Sequence, residues 1–197
     1  MKKIFFLCFF SAFFGFIPHL QAHVQGSIKG KISYYYPINH TFRKIYDERA
    51  FYGVEGSIQA FKDLFVYTGV NLLPSSGQSI GENSKTDLWL VPLEVGLKYF
   101  FPIQNCYYEI YVAAAAAPFY VHIKDDSPFV VRKRTKWDIG GSFKGGLLLF
   151  PTRTGFMIDI FLNYFLLKSD FSDTDKTVGR RADFSGLSAG TGIGYWF

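Results

Sequence analysis

After its first two dozen residues the chain alternates apolar and polar positions with a period of two, the pattern of strands whose two faces meet different surroundings. Residues 52–60 show it most cleanly. Tyr52, Val54, Ile58 and Ala60 share one face, and Glu55, Ser57 and Gln59 share the other. Segment 89–99 repeats it, setting Trp89, Val91, Leu93, Val95, Leu97 and Tyr99 against Glu94, Gly96 and Lys98. Eight segments read this way, at about 27–36, 51–61, 64–73, 88–100, 107–120, 137–149, 156–167 and 184–197. Two stretches strain the pattern. Pro92 and Pro118 fall inside the fourth and fifth segments, where proline cannot donate to a ladder. The run Ala113 to Ala117 is a weak strand former that could start a helix.

The connections alternate in length. Lys62-Asp63 is a tight turn, and Phe101 to Cys106 and Phe150 to Gly155 are short. Residues 37–50, 74–87, 121–136 and 168–183 are longer and polar. An up-and-down arrangement therefore places three short turns at one end and four long loops at the other. Transmembrane β-barrels have this asymmetry.

A test of that idea is the cost of placing charge in lipid. Strands cross hydrocarbon only as a closed barrel, because every backbone group must be paired within the protein. A Lys or Arg on the outer face costs roughly 2–4 kcal/mol at the midplane. Each segment offers a face free of charge. Beyond the residues named above, it holds Ile28, Ile32 and Tyr34; Leu64, Val66, Val70 and Leu72; Tyr108, Ile110 and Val112; Trp137, Ile139, Phe143 and Leu147; Ile158, Ile160, Leu162 and Tyr164; and Leu187 and Ile193. The opposite parity carries Lys29, Lys31, Lys98 and Lys144 against Glu55, Glu94, Glu109, Asp138 and Asp159. An eight-stranded barrel is just wide enough for side chains to fill, so these nine residues are expected to pair and plug the lumen. Aromatic residues gather near segment ends, with Phe61, Tyr99, Phe100, Tyr108, Phe156 and Phe197 toward the short turns. Tyr34, Tyr52, Trp89, Phe119 and Trp137 gather toward the long loops, as two interfacial girdles would.

Export fits the same picture. Lys2 and Lys3 precede an apolar run from Ile4 to Ile17, and Leu20-Gln21-Ala22 supplies a small residue for cleavage. Residues 1–22 are expected to be a signal peptide and 23–197 the barrel domain. The run is short for a spanning helix, which needs about 20 residues. Losing Lys2 and Lys3 lowers the formal net charge from +5 to +3, too mild to argue for nucleic acid. Cys106 would be the one remaining cysteine, so no disulfide framework is expected. Aromatic residues make up 20% of the chain, yet no run past the signal suits a spanning helix. That apolar surface must face lipid or fill a soluble core.

The last segment, LSAGTGIGYWF, aligns Leu187, Ala189, Thr191, Ile193, Tyr195 and Phe197 on one face and ends on Phe. It resembles the terminal strand that the barrel assembly machinery reads in Gram-negative outer-membrane proteins. That resemblance implies an insertion signal at Tyr195 and Phe197. With eight strands and four long loops, the whole chain past the signal resembles the small outer-membrane barrels. These include the OmpA transmembrane domain, OmpX, OmpW and the opacity adhesins. The resemblance implies an all-β, closed, antiparallel up-and-down barrel in the cell outer membrane, among its lipids and lipopolysaccharide. It is one of architecture and transfers no residue roles.

Sites for chemistry are sparse. Gly190, Gly192 and Gly194 alternate like a phosphate loop but lack the following helix that a dinucleotide site requires. They suit a lumen wall around which side chains fit. His40 and His122 lie in different loops without a second His or Cys at metal spacing. His122 near Asp125, Asp126 and Ser127 is the nearest approach to a Ser–His–acid set, but all share one loop. Asn39-His40-Thr41 matches a glycosylation sequon by chance. No cofactor and no enzymatic activity are expected. The run Arg132, Lys133, Arg134, Thr135 and Lys136 follows Phe129-Val130-Val131. It is the candidate contact for lipopolysaccharide phosphates or acidic glycans. The functional expectation is a structural or adhesive barrel acting through its loops, with a possible surface or host ligand. The alternatives are a small channel for apolar or small solutes and a soluble, lipocalin-like exported barrel.

Overall fold

The eight alternating segments close on themselves in the computed structural model, which describes residues 25–46, 49–78, 84–103, 107–125, 133–151, 155–170 and 181–197. The expected signal segment, Cys106, Asp126, Ser127 and Arg132 lie outside these residues. The strands are β1 (Gly26–Pro37), β2 (Ala50–Phe61), β3 (Leu64–Gln78), β4 (Lys85–Phe100) and β5 (Tyr108–Asp125), followed by β6 (Lys133–Leu149) and β7 (Phe156–Leu166). After β7 come the short β8 (Lys168–Asp170) and β9 (Arg181–Asp183), then β10 (Gly186–Trp196). A six-residue helix, α1 (His40–Ile45), sits between β1 and β2. All neighbouring pairs are antiparallel, in the cyclic order β1-β10-β7-β6-β5-β4-β3-β2.

Closure removes the free strand edges that an open sheet would leave. The seam runs from Ser27↔Trp196 to Pro37↔Gly186. Beyond its lower end Gly26 and Phe197 exchange two backbone hydrogen bonds, at 2.7 and 2.9 Å. The tight turn at Lys62-Asp63 uses a left-handed backbone at Lys62, φ 43°, and the Gln59 side chain donates to the Lys62 carbonyl.

The apolar face expected for each segment is the outer face. Ile28, Val54, Ile58, Val66, Val95, Leu162 and Ile193 all stand exposed on it. Among the described residues of the eight barrel strands, outward-pointing charges occur only at the long-loop end, at Lys85, Asp87, Lys124 and Lys133. An apolar exterior is the reverse of what a soluble ligand-binding barrel needs, so the wall is that of a membrane barrel. No described helix is long and apolar enough to cross a membrane; the strands do the crossing.

Four features differ from the sequence reading. First, β3 to β6 run further at the long-loop end than the apolar pattern does, with Ser76, Gly77 and Gln78 paired to Asp87, Thr86 and Lys85. Ladder hydrogen bonds carry polar residues past the point where burial stops selecting side chains. Second, Ala113 to Ala117 are strand, Ala113 to Ala116 paired to both β4 and β6 and Ala117 to β6, because tertiary pairing outweighs intrinsic preference. Third, the prolines are tolerated by omission. Bridges are missing opposite Pro92 in the β3/β4 ladder and opposite Pro118 in the β4/β5 ladder, and the register continues unchanged past both. Fourth, α1 and the β8/β9 ribbon fold over the barrel mouth. Asn39 caps α1 by accepting from the Thr41 and Phe42 amides at 2.9 and 3.4 Å.

Glycine decides how closely the lumen packs. Gly146 lies opposite Tyr111, and a Cβ there would stand 2.6 Å from the Tyr111 ring. That ring is fixed, since its hydroxyl donates to Asp159 at 3.0 and 3.1 Å. Gly146→Val should therefore displace Tyr111 and cost about 1–3 kcal/mol by overpacking. The urea midpoint of unfolding in detergent micelles measures it, and an unchanged midpoint would show that Tyr111 yields without penalty.

Candidate functional site

The lumen is filled in three layers. At the short-turn end Phe65, Phe100 and Phe150 surround Trp196, with ring centroids 5.3, 5.5 and 5.9 Å from it. At the long-loop end Phe42 of α1 packs on Tyr46, Phe184 and Tyr35 at 4.7, 6.0 and 6.2 Å. Leu73, Leu88, Leu90, Phe119 and Val121 line the cup beneath it. Phe100 and Phe119 thus belong to these lumen layers and not to the outer girdles where the sequence reading put them, because their parity points inward. The Tyr46 phenol, outside the spanning strands, is pushed above its ordinary range by burial.

Between the two apolar layers lies the ionic one. Glu55 is its centre and meets all four lysines: Lys29 at 3.0 Å, Lys31 at 3.1 Å, Lys98 at 2.5 Å and Lys144 at 2.6 Å. Glu94 takes Lys31 at 3.0 Å and Lys144 at 3.3 Å. It also accepts from Asn71, Ser142 and Asn163 at 2.9, 2.9 and 3.1 Å. Asp159 pairs with Lys29 and accepts from the Tyr111 hydroxyl. All seven charged groups are buried. Burial at this depth is tolerable only because each charge has an opposite charge in contact with it. Four lysines face three carboxylates, an excess of one positive charge. Ring faces absorb part of it: the Lys98 ammonium lies 4.8 Å from the Tyr111 centroid, and that of Lys144 lies 4.9 Å from Tyr67.

Glu109 and Asp138, expected in this network, are not in it. Glu109 is half-buried at the short-turn mouth beside Gln25, Gln59, Lys62 and Asp63. Asp138 lies toward the long-loop mouth, where it accepts from Ser169. Both share the lumen parity but sit beyond the ionic layer. Parity gives the face and says nothing of height along the axis. The sequence reading missed Asn71, Ser142, Asn163 and Tyr111, although each has lumen parity. Polar residues on that face were the available signal.

The basic run is divided by the same alternation. Lys133 and Thr135 point outward and are exposed; Arg134 and Lys136 point inward and are half-buried. Lys136 donates to the Asp170 carbonyl, which ties β6 to β8. Tyr195 and Phe197 face outward, both exposed. His122 also faces outward, bonded through Nδ1 to Thr135 Oγ1 at 2.8 Å, whereas Asp125 has the opposite parity. Among the described residues no three His, Cys, Asp or Glu side chains group as metal ligands.

A closed eight-stranded antiparallel barrel with an apolar wall and a filled lumen defines the class: a small membrane β-barrel, of the kind found among outer-membrane proteins. Comparison with solved structures places the chain beside several of these. It is similar to the outer membrane protein OprG from Pseudomonas aeruginosa, at 10% identity and a TM-score of 0.63, covering 88% of this chain and 96% of that one. It is also similar to Neisserial surface protein A, at 11% identity and a TM-score of 0.59, covering 89% and 98%. A third is Ail, the attachment invasion locus protein of Yersinia pestis, solved with the heparin analogue sucrose octasulfate. That match has 15% identity and a TM-score of 0.56, covering 89% and 100%. At such identities the likeness is one of fold. No protein-family model matches the sequence, and no curated protein matches it.

Proposed function

We propose that this protein is a non-enzymatic integral protein of the outer membrane, closed along its axis, with a structural and surface-interacting role exercised at its long-loop end. The observation that carries this reading is the three-layer lumen, in which aromatic side chains fill both mouths and seven paired charges fill the middle. A channel for small solutes would need a continuous gap through those layers. Export with cleavage near Ala22, and insertion by the barrel assembly machinery reading Tyr195 and Phe197, belong to the same proposal. So does contact of the basic residues Arg132, Lys133, Arg134 and Lys136 with an anionic partner at the cell surface. The complex of the attachment invasion locus protein with a sulfated heparin analogue supports looking for such a partner on a barrel of this fold.

The test is expression in a Gram-negative host, followed by outer-membrane isolation and comparison of boiled with unboiled samples on a denaturing gel. A membrane-retained band that shifts on boiling is expected. The purified barrel should then show no stepwise conductance in planar lipid bilayers. A soluble periplasmic product would overturn the location, and regular single-channel steps would overturn the closed lumen.

A further inference from the structure

The outer wall of β5 and β6 carries an ordered ladder of outward side chains. Pro118 faces Ile139, Tyr120 faces Trp137, His122 faces Thr135, and Lys124 faces Lys133. Read upward, the ladder passes from apolar through aromatic to polar and then basic. Ile139 is 81% exposed, the highest value among the exposed large hydrophobics of the wall. The Tyr120 and Trp137 rings lie 5.3 Å apart, tilted at 56°, and Trp89 stands beside them as the β4 neighbour of His122. Three aromatic side chains grouped here mark the level where hydrocarbon gives way to headgroups.

Lys133 is four residues beyond Trp137 along the same face of β6. Four strand residues span ~13 Å, or roughly 10 Å along the membrane normal at the usual tilt. The two lysines therefore stand in the headgroup layer directly above a Trp–Tyr pair, on the face that meets lipid. Like charges placed opposite one another across a ladder oppose pairing. Asp87 flanks Lys124 on β4, but it is shared with Lys85 at 3.6 Å and also accepts from Ser76 at 2.9 Å. Asp87, Lys124 and Lys133 thus stand in one row across β4, β5 and β6, with the two lysines side by side on the lipid-facing wall.

We infer that Lys124 and Lys133, with Thr135 beneath them, form a site for the phosphate of an anionic lipid headgroup in the outer leaflet, seated over Trp137 and Tyr120. This rests on the membrane reading above and names the partner for one part of the basic end. The alternation of β6 excludes Arg134 and Lys136 from the site, since both point inward. A soluble anion would be served equally well by inward or loop-tip lysines. Placement on the lipid-facing side, continuous with the aromatic belt, favours a membrane lipid as the source.

The full-length mature barrel is reconstituted in phosphatidylcholine nanodiscs with and without a minor fraction of lipid A, and lipid A retention is measured by native mass spectrometry. Thermal unfolding is followed in parallel. Lipid A should be retained and should raise the unfolding midpoint. K124Q and K133Q should each weaken retention roughly fivefold while remaining heat-modifiable, and K44Q, on exposed α1, should leave retention unchanged. Equal retention by all variants would overturn the site. Reproduction of the midpoint shift by inorganic phosphate in pure phosphatidylcholine would overturn the lipid as source. Heat-modifiability separates these failures from failure of the membrane reading, because a chain that forms no barrel shows no boiling shift.

Discussion

Glu55→Ala is expected to destabilise this barrel by about 3–5 kcal/mol, the cost of stripping the partner from buried charges. The size of the effect follows from the arrangement of the ionic layer. Among the described residues Glu55 is the one carboxylate in contact with all four lysines, and its two oxygens divide them, Lys29 and Lys98 on Oε1, Lys31 and Lys144 on Oε2. Without it Lys98 loses its carboxylate contact and keeps only ring faces. Lys29, Lys31 and Lys144 each retain one other carboxylate. Urea titration in micelles, read by the shift in gel mobility, measures the loss. Glu109→Ala supplies the contrast. It has the same residue type and lumen parity but lies outside the network, so its change should stay within ~0.5 kcal/mol. Equal effects at the two sites would refute the layered lumen.

The second large effect concerns the wall. Leu162 faces outward near the middle of β7, between Ala189 of β10 and Gly145 of β6, and is exposed on that face. Leu162→Arg should cost about 2–4 kcal/mol in a bilayer, because the guanidinium would enter hydrocarbon far from either interface. Tyr52→Arg, also outward but near the long-loop end, should cost ~0–1 kcal/mol. The measurement is reversible folding into lipid vesicles. In water-soluble surroundings the two exposed positions would tolerate arginine alike. A difference between them is the signature of a depth-dependent environment, and its absence would remove the membrane from the account.

Both predictions draw on the same alternation, which the sequence displays openly. Val54 and Glu55 are adjacent, one against lipid and the other at the centre of the ionic layer. A strand's period of two fixed that division before any contact was known. The eight segments, the alternation of short and long connections, and the sign and face of each charge were likewise legible. Local patterning suffices for these because a strand's two faces are set by its own backbone.

What tertiary structure alone decided was height and partnership. Glu109 and Glu55 are indistinguishable by parity, and only the stagger of the strands carries one to the mouth and the other to the middle. Phe100 and Phe119 look like girdle residues from their places at segment ends, yet they close the lumen because inward parity at a barrel end fills the mouth. The helix α1 gave no periodic signal, since six residues are too few, and it exists through the Asn39 cap and the seat of Phe42 among Tyr35, Tyr46 and Phe184. The split of the basic run was implicit in its alternation. That Lys133 meets Lys124 across the ladder followed only from the β5/β6 register. The sequence by itself determined which side each residue faces, because that is a property of one strand. The closed sheet determined what each residue meets, because register is a relation between strands that no single segment contains.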